Sequence, residues 1–248
     1  MFDARCYISD DDKNGLMAVV HGLDRGVGVD LLLHTPGGDM AATESVIDYL
    51  HRMFDGNIVA FIPQIAMSGG TMIACSCAEI YMGKQSNMGP IDPQLGGIPA
   101  HGVIKEFENA ISETKRDPGS IPMWQAIIGQ YHPTFIGECR NAILLAEEIV
   151  KKRLIRTMFK GDPDAEKKAV AVVAFLNEHD DSKVHSRHIH IDEAKACGLK
   201  IKDLEGDQEL QDLVLTIHHC YMHTFSSTNV VKIVENNIGN AVCSMTRG

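Results

Sequence analysis

The segment IPQIAMSGGTMIACSCAEIYMG, residues 62–83, has the most informative pattern in the sequence. An apolar run at residues 58–62 leads into it, and a run of small residues from Thr71 to Cys77 leads out. Between the two runs lies Ser68, which two glycines follow directly. This pattern predicts a buried strand, a tight turn and a buried helix, with the serine hydroxyl held at the turn. A simpler interpretation makes Ser68 only the N-cap residue of that helix.

Apolar strands alternate with helical segments around this stretch. The segment GVDLLLHTPGGD (28–39) predicts a buried strand that ends in a Pro-Gly-Gly turn, and MAATESVIDYLHRMF (40–54) predicts a helix with Asp39 as its N-cap. A third strand is predicted in AEIYMGKQ (78–85). Strands that are apolar throughout and separated by helices indicate a parallel sheet covered on both faces. The predicted fold class is therefore α/β.

The chain length favours a single domain. Its 248 residues suffice for a sizeable core, so we expect one domain over 1–248. Within it we predict a helical segment at about 103–180 and an extension of one helix and one hairpin at about 205–248. At the other end, RCYISDDD (5–12) predicts a short strand that runs into a polar turn.

Charge and composition exclude several classes of protein. The net charge is −10 and no basic stripe occurs, which argues against a nucleic-acid partner. No apolar run approaches the roughly 18 residues of a membrane span, and the polar, acidic N-terminus is unlike a signal peptide. Seven scattered cysteines without a CxxC pair indicate reduced thiols and a cytoplasmic protein. We expect no metal or other cofactor, because no HExxH motif occurs and the histidine clusters lack neighbouring thiolate pairs.

Three segments follow one another along the chain, each at or after the end of a predicted strand: HTPGGD (34–39), AMSGGTMIA (66–74) and GPIDPQLGG (89–97). Together they resemble the Clp-protease/crotonase superfamily, which includes signal peptide peptidase A and the Clp proteolytic subunit. With HSRHIHIDEAKACGLKI (185–201), the resemblance is strongest to the serine dehydrogenase proteinase family. It implies a spiral of parallel strands with flanking helices, and a serine endopeptidase that acts on peptides or unfolded proteins as a homo-oligomer.

The resemblance also implies roles for individual residues. Ser68 would be the nucleophile, and the backbone N–H groups of Gly37, Gly38 and Gly69 would form the oxyanion hole. The physical chemistry agrees, because glycine lets backbone donors approach a substrate carbonyl closely and a helix N-terminus favours developing negative charge.

The general base is where this chain departs from its relatives. Asp92 stands where the Clp subunit has a histidine, so one hypothesis makes His185 the base and Asp92 the group that orients it. Signal peptide peptidase relatives use a lysine instead, which makes Lys105 an alternative if its side chain is partly buried. A third candidate is His101.

Two functions of other classes remain open on the same fold. A crotonase-type acyl-CoA enzyme would use the paired backbone donors without a nucleophilic serine. A non-catalytic oligomeric interaction protein would keep the glycines and lose the base. Labelling by a fluorophosphonate probe separates both from a serine peptidase, because only the peptidase has an activated serine.

Overall fold

The computed structural model of the chain describes residues 4–177 and 188–246, and helices alternate with strands through its first half. In chain order this half contains α1 (Asp10–Val20), β1 (Val29–Leu32), α2 (Met40–Phe54), β2 (Ile58–Ile62), β3 (Ile65–Ala66), α3 (Gly69–Cys75), β4 (Glu79–Met82), β5 (Asn87–Met88), β6 (Gln94–Leu95), β7 (Ile98–Pro99) and α4 (Ala100–Arg116). The Asp39 carboxylate accepts a hydrogen bond from the N–H of Ala42 at 2.8 Å, as predicted for the N-cap of α2.

The second half is mostly helical. It contains α5 (Ile121–Ile128), α6 (Phe135–Arg156), α7 (Ala165–Asn177), β8 (Ile189–His190), α8 (Ile191–Ala196), β9 (Ile201–Asp203), α9 (Gln208–Ser227), β10 (Val230–Glu235) and β11 (Ala241–Met245). Short 3-10 helices lie at Ala4–Cys6, Arg25–Val27, Pro118–Ser120 and Leu204–Gly206. Among the residues that the structure describes, no helix combines the length and the apolar composition that crossing a membrane requires.

A parallel sheet organises the molecule and confirms the predicted α/β fold. Its four strands lie in the order β1-β2-β4-β9, and every neighbouring pair is parallel. A second sheet has the order β3-β5-β8, in which β3 and β5 are parallel and β5 and β8 are antiparallel. Two hairpins, β6–β7 and β10–β11, complete the strands.

The main core lies between this sheet and the helices that cover it. Ile47 of α2, Ile62 of β2, Ile80 of β4, Leu154 of α6 and Leu176 of α7 are all essentially inaccessible to solvent. Each such side chain contributes roughly 1.5–3 kcal/mol by leaving water. A smaller apolar cluster joins α4 to α6, and another places α9 against the sheet. The core thus fixes β2, β3 and α3, which carry the turn at Ser68.

The N-terminal strand predicted in residues 5–12 is wrong. Ala4–Cys6 form a 3-10 helix, and Ile8 makes only one isolated parallel bridge, to Gly38. The N–H of Ile8 donates to the carbonyl of Gly37 at 2.8 Å, and its carbonyl accepts from the N–H of Asp39 at 2.9 Å. The partner of Ile8 is therefore a turn, and the pairing cannot extend because α2 begins directly after Asp39.

Candidate active site

Ser68 occupies a strained turn between β3 and α3. Its backbone has φ 49° and ψ −111°, and among the described residues only Asp55 and Ser68 have positive φ without being glycine. Such a conformation costs on the order of 1–3 kcal/mol and persists only where the surroundings enforce it. Here the N–H of Gly70 donates to the backbone carbonyl of Met67, and the N–H of Met72 donates to the backbone carbonyl of Ser68. The Ser68 side chain makes no capping hydrogen bond to α3, so its hydroxyl is not used as an N-cap.

The Pro-Gly-Gly turn packs directly against this serine. Gly37 has φ +96°, and a Cβ at this position would lie 2.9 Å from Ser68 Cβ and 2.7 Å from the carbonyl oxygen of Met67. A Cβ on Gly38 would lie 2.2 Å from the backbone nitrogen of Ile8. Any larger residue would therefore push the two turns apart, which explains why this sequence has glycine at both positions.

Two backbone donors beside Ser68 are available for a ligand. Gly69 begins α3, so its N–H has no acceptor within the helix, and a Cβ on Gly37 would lie only 3.2 Å from that nitrogen. In the described parts of the chain, no hydrogen bond engages the N–H of Gly69 or of Gly38. The N–H of Gly37 instead donates to Thr35 Oγ1 at 3.1 Å. Gly38 and Gly69 are therefore the open donors, and Gly37 supplies the close contact between the turns.

The buried Asp92 and the partly buried His101 form an acid–imidazole pair. Asp92 is 1% exposed, and its Oδ1 lies 2.7 Å from His101 Nδ1 and accepts from the backbone N–H of His101 at 3.2 Å. The hairpin β6–β7 between them brings the start of α4 back to Asp92. A carboxylate can only accept, so Nδ1 donates its proton and Nε2 of the neutral ring is left as an acceptor. That is the tautomer that a general base requires.

The segment that carries Asp92 passes beside the serine turn. A Cβ on Gly89 would lie 2.6 Å from Met67 Cε and 3.4 Å from Met67 Cα, so these two segments touch. Thr71 Oγ1 of α3 lies 2.8 Å from the carbonyl oxygens of Ala66 and Gly89 and accepts from the N–H of Gly89 at 3.0 Å. One buried hydroxyl therefore ties β3, α3 and the start of the Asp92 segment together.

The sequence also suggests Lys105 and His185 as the general base. Lys105 lies on α4 with an exposed side chain, so it lacks the burial that would make a lysine an effective base. His185 lies outside the residues that the structure describes. Within the described ranges, no three His, Cys, Asp or Glu side chains come together as possible metal ligands.

Sequence reasoning missed two threonines that hold the site. Thr35 positions the glycine turn through Gly37, and Thr71 links α3 to Gly89. Thr35 could have been found, because a threonine two residues before a glycine in a turn is a common donor–acceptor pattern. Thr71 could not, since its role depends on a contact with a segment 18 residues away.

Comparison with known proteins identifies a family and two relatives. Residues 5–127 match the sequence model of the ClpP-like SDH-type serine proteinases. The uncharacterized protein MJ0137 of Methanocaldococcus jannaschii is 25% identical over 228 residues, which are 92% of this chain and 70% of the relative. The uncharacterized protein MJ1495 of the same organism is 34% identical over 101 residues, which are 41% of this chain and 34% of that relative. The matched range contains the Pro-Gly-Gly turn, the turn at Ser68, Asp92 and His101.

Proposed function

Because the chain belongs, through residues 5–127, to the ClpP-like SDH-type serine proteinases, we propose that it is a serine endopeptidase acting through an acyl-enzyme on Ser68. The observation that carries this proposal is the positive φ of Ser68 at the head of α3, against Gly37. A serine on a strained strand-to-helix turn, beside open backbone donors, is typical of one class of nucleophilic acyl-transfer sites.

The proposed reaction begins with attack of Ser68 Oγ on a peptide carbonyl. Negative charge then develops on the carbonyl oxygen, and the N–H groups of Gly38 and Gly69 stabilise it. One such donor is typically worth about 100- to 1,000-fold in rate. The N-terminus of α3 adds a favourable dipole at the same point. The C–N bond of the substrate then breaks, and the amine leaves with the proton that the base took from Ser68. Water subsequently hydrolyses the acyl-enzyme, which releases the carboxylic acid product and restores the serine.

We propose His101 as the base, with Asp92 as its positioning residue. The support is the 2.7 Å contact between Nδ1 and Oδ1, which fixes the ring and leaves Nε2 able to accept the serine proton. The contact of Gly89 with Met67 brings the Asp92 segment to the serine turn. His185 remains the competing hypothesis from the sequence, and the same experiment addresses both histidines.

The nucleophile is tested by labelling with a fluorophosphonate probe and by hydrolysis of an unfolded protein substrate. Ser68→Ala should lose the label and reduce hydrolysis by at least about 1,000-fold, because a nucleophile acts only in the reaction. Ser45→Ala, a partly buried serine on α2, is the matched control and should keep both. Labelling that survives in Ser68→Ala would exclude this serine, and a wild-type protein without any label would favour the non-hydrolytic functions.

The base is tested with four variants on one peptide substrate. His101→Ala and Asp92→Asn should each lower kcat by about 100- to 10,000-fold with little change in KM, whereas Lys105→Ala should remain near wild type. Thermal unfolding of each variant checks that the loss is not loss of fold. If His185→Ala is inactive and His101→Ala is active, the Asp92–His101 pair is structural and His185 is the base.

A further inference from the structure

A cavity of about 880 Å³ lies between the N-terminal part of the sheet and the C-terminal elements. Side chains from α1, β1, α2, α9 and β10 line it, and most of them are aliphatic or aromatic. Cavities of this size and character are typical of small-molecule sites. Ser68, Asp92 and His101 are not among its lining residues, so it is separate from the candidate active site.

Two histidines supply the distinctive polar groups of this cavity. His34 follows β1 and His218 lies on α9, and their ring centroids are 4.9 Å apart. His218 is only 6% exposed, and among the described residues the buried Nδ1 atoms of both rings have no hydrogen-bond partner. Burial lowers the pKa of His34 to about 4, helped by repulsion from His218, and burial likewise lowers the pKa of His218.

The protonation of these rings determines what they can bind. Both are neutral near pH 7, because burial disfavours their charged forms. Each neutral ring carries one proton, on Nδ1 or on Nε2, and so has one N–H donor and one acceptor nitrogen. Each ring therefore offers one N–H donor and no positive charge. Such a pair is complementary to a neutral acceptor oxygen.

The other charged groups around the cavity also disfavour an anion. Lys232 is the only lysine or arginine in the described lining, and its Nζ already contacts Asp12 at 2.8 Å. Burial, together with a hydrogen bond from the Tyr221 hydroxyl to the lining carboxylate of Glu235, raises the pKa of Tyr221 above its ordinary value. Carboxylates thus outnumber cations here, and a ligand carboxylate would be repelled.

We propose that this cavity binds a neutral aliphatic ligand that ends in one acceptor oxygen, such as a long-chain alcohol or amide. Its chain lies among aliphatic side chains of α1, β1 and β10, and its oxygen accepts from the imidazoles of His34 and His218. The cavity wall also includes Ile8 and Thr35, which hold the Pro-Gly-Gly turn. The binding itself does not depend on the chemistry proposed for Ser68.

The test uses N-phenyl-1-naphthylamine, an uncharged probe whose fluorescence rises in apolar surroundings. The wild-type protein should give a saturable rise with one site per chain, and 1-decanol should displace the probe. Decanoate near pH 7.5 should need at least about ten times the concentration for the same displacement, because its carboxylate meets neutral donors, several carboxylates and one lysine that is already paired with Asp12. Absence of saturable binding, or equal displacement by the alcohol and the carboxylate, would overturn the proposal.

Variants of lining residues test whether the probe binds in this cavity. Met222→Trp and Ile238→Trp add bulk to two lining positions, and each should weaken probe binding at least about fivefold. His223→Trp alters an exposed neighbour on α9 that does not line the cavity, and it should bind as the wild type does. Ile238 lies in the exposed turn of the β10–β11 hairpin, so this variant remains informative if Met222→Trp fails to fold. Unchanged binding in Ile238→Trp would place the probe elsewhere.

His218→Phe separates the polar contact from simple packing. The ring stays similar in size while its N–H is lost, so the affinity for 1-decanol should fall about two- to tenfold. The affinity for the naphthylamine probe should change less, because the probe has no acceptor oxygen. Equal effects on both ligands would show that His218 only packs against the ligand, and the assignment of the acceptor oxygen would then be wrong.

Discussion

At the scale of single residues, the glycine beside Ser68 is as important as the serine. Gly37 combines a left-handed backbone with contacts that leave no space for a Cβ, whereas Gly161 has φ +81° and open space around it. Both positions have positive φ, but only a Cβ at Gly37 would clash with the serine turn. This difference provides a matched pair of alanine variants.

We expect Gly37→Ala to abolish peptide hydrolysis and Gly161→Ala to leave it unchanged. Both should lose roughly 1–2 kcal/mol of stability, because alanine is strained at positive φ, and Gly37→Ala should lose more because its Cβ meets Met67 and Ser68. Denaturant unfolding and steady-state kinetics measure the two effects. Equal activity of both variants would mean that the close contact of the turns is not needed.

The partly buried His34 makes stability depend on pH. The folded protein holds its pKa at about 4, against an ordinary value of 6.5, so the unfolded chain binds more protons between those values. Stability should therefore decrease as the pH falls from about 6.5 to about 4, and it should lose no more through this group below that. His34→Leu should show a smaller decrease between about pH 7.5 and 4.5 than the wild type or His223→Leu. Equal decreases in all three would contradict the depressed pKa.

At the scale of elements, one hydroxyl links α3 to the segment that leads to Asp92. Thr71→Val keeps the shape of the side chain but leaves the N–H of Gly89 unpaired in a buried position. We expect a loss of about 1–3 kcal/mol in stability and a lower kcat, because Gly89 leads into Asp92. Thr114→Val is the control, since Thr114 bonds only within α4 and should cost less than about 0.5 kcal/mol. A Thr71→Val variant with unchanged stability and unchanged kcat would contradict the proposed link between α3 and Asp92.

Local patterns in the sequence explain which of these elements can be predicted from it. The strands β1, β2 and β4 are apolar runs bounded by turns, and α2 has both periodicity and an N-cap, so their positions follow from the residues themselves. Ser68 and its glycines are recognisable for the same reason. The pairing of Asp92 with His101 cannot be recognised from the sequence, because it depends on β6 and β7. Each of these strands has only two residues, which is too short to show an alternation of apolar and polar residues. The contact of His34 with His218 joins groups far apart in sequence and has no local signal at all.

At the scale of the whole molecule, the family relationship suggests self-association, and the surface offers a place for it. Several large apolar side chains of α4–α6 are exposed, including Ile111 and Leu144. We expect the protein to be a homo-oligomer by light scattering at micromolar concentration, since homo-oligomers normally close through symmetric apolar patches. Leu144→Glu should lower the measured mass, whereas Val27→Glu, at a site outside this surface that is even more exposed, should not. A monomeric wild-type protein would contradict the expectation.

The position of β9 at the edge of the main sheet has a consequence for synthesis. Its residues 201–203 pair with residues 80–82 of β4, so this edge stays open until the ribosome has made the intervening chain. At roughly 5–20 residues per second, that delay is on the order of 10 s. During this time the nascent chain exposes the unpaired backbone of β4, an apolar strand able to pair with another copy. Chaperone capture or aggregation of nascent chains should therefore compete with folding until residue 203 has left the exit tunnel.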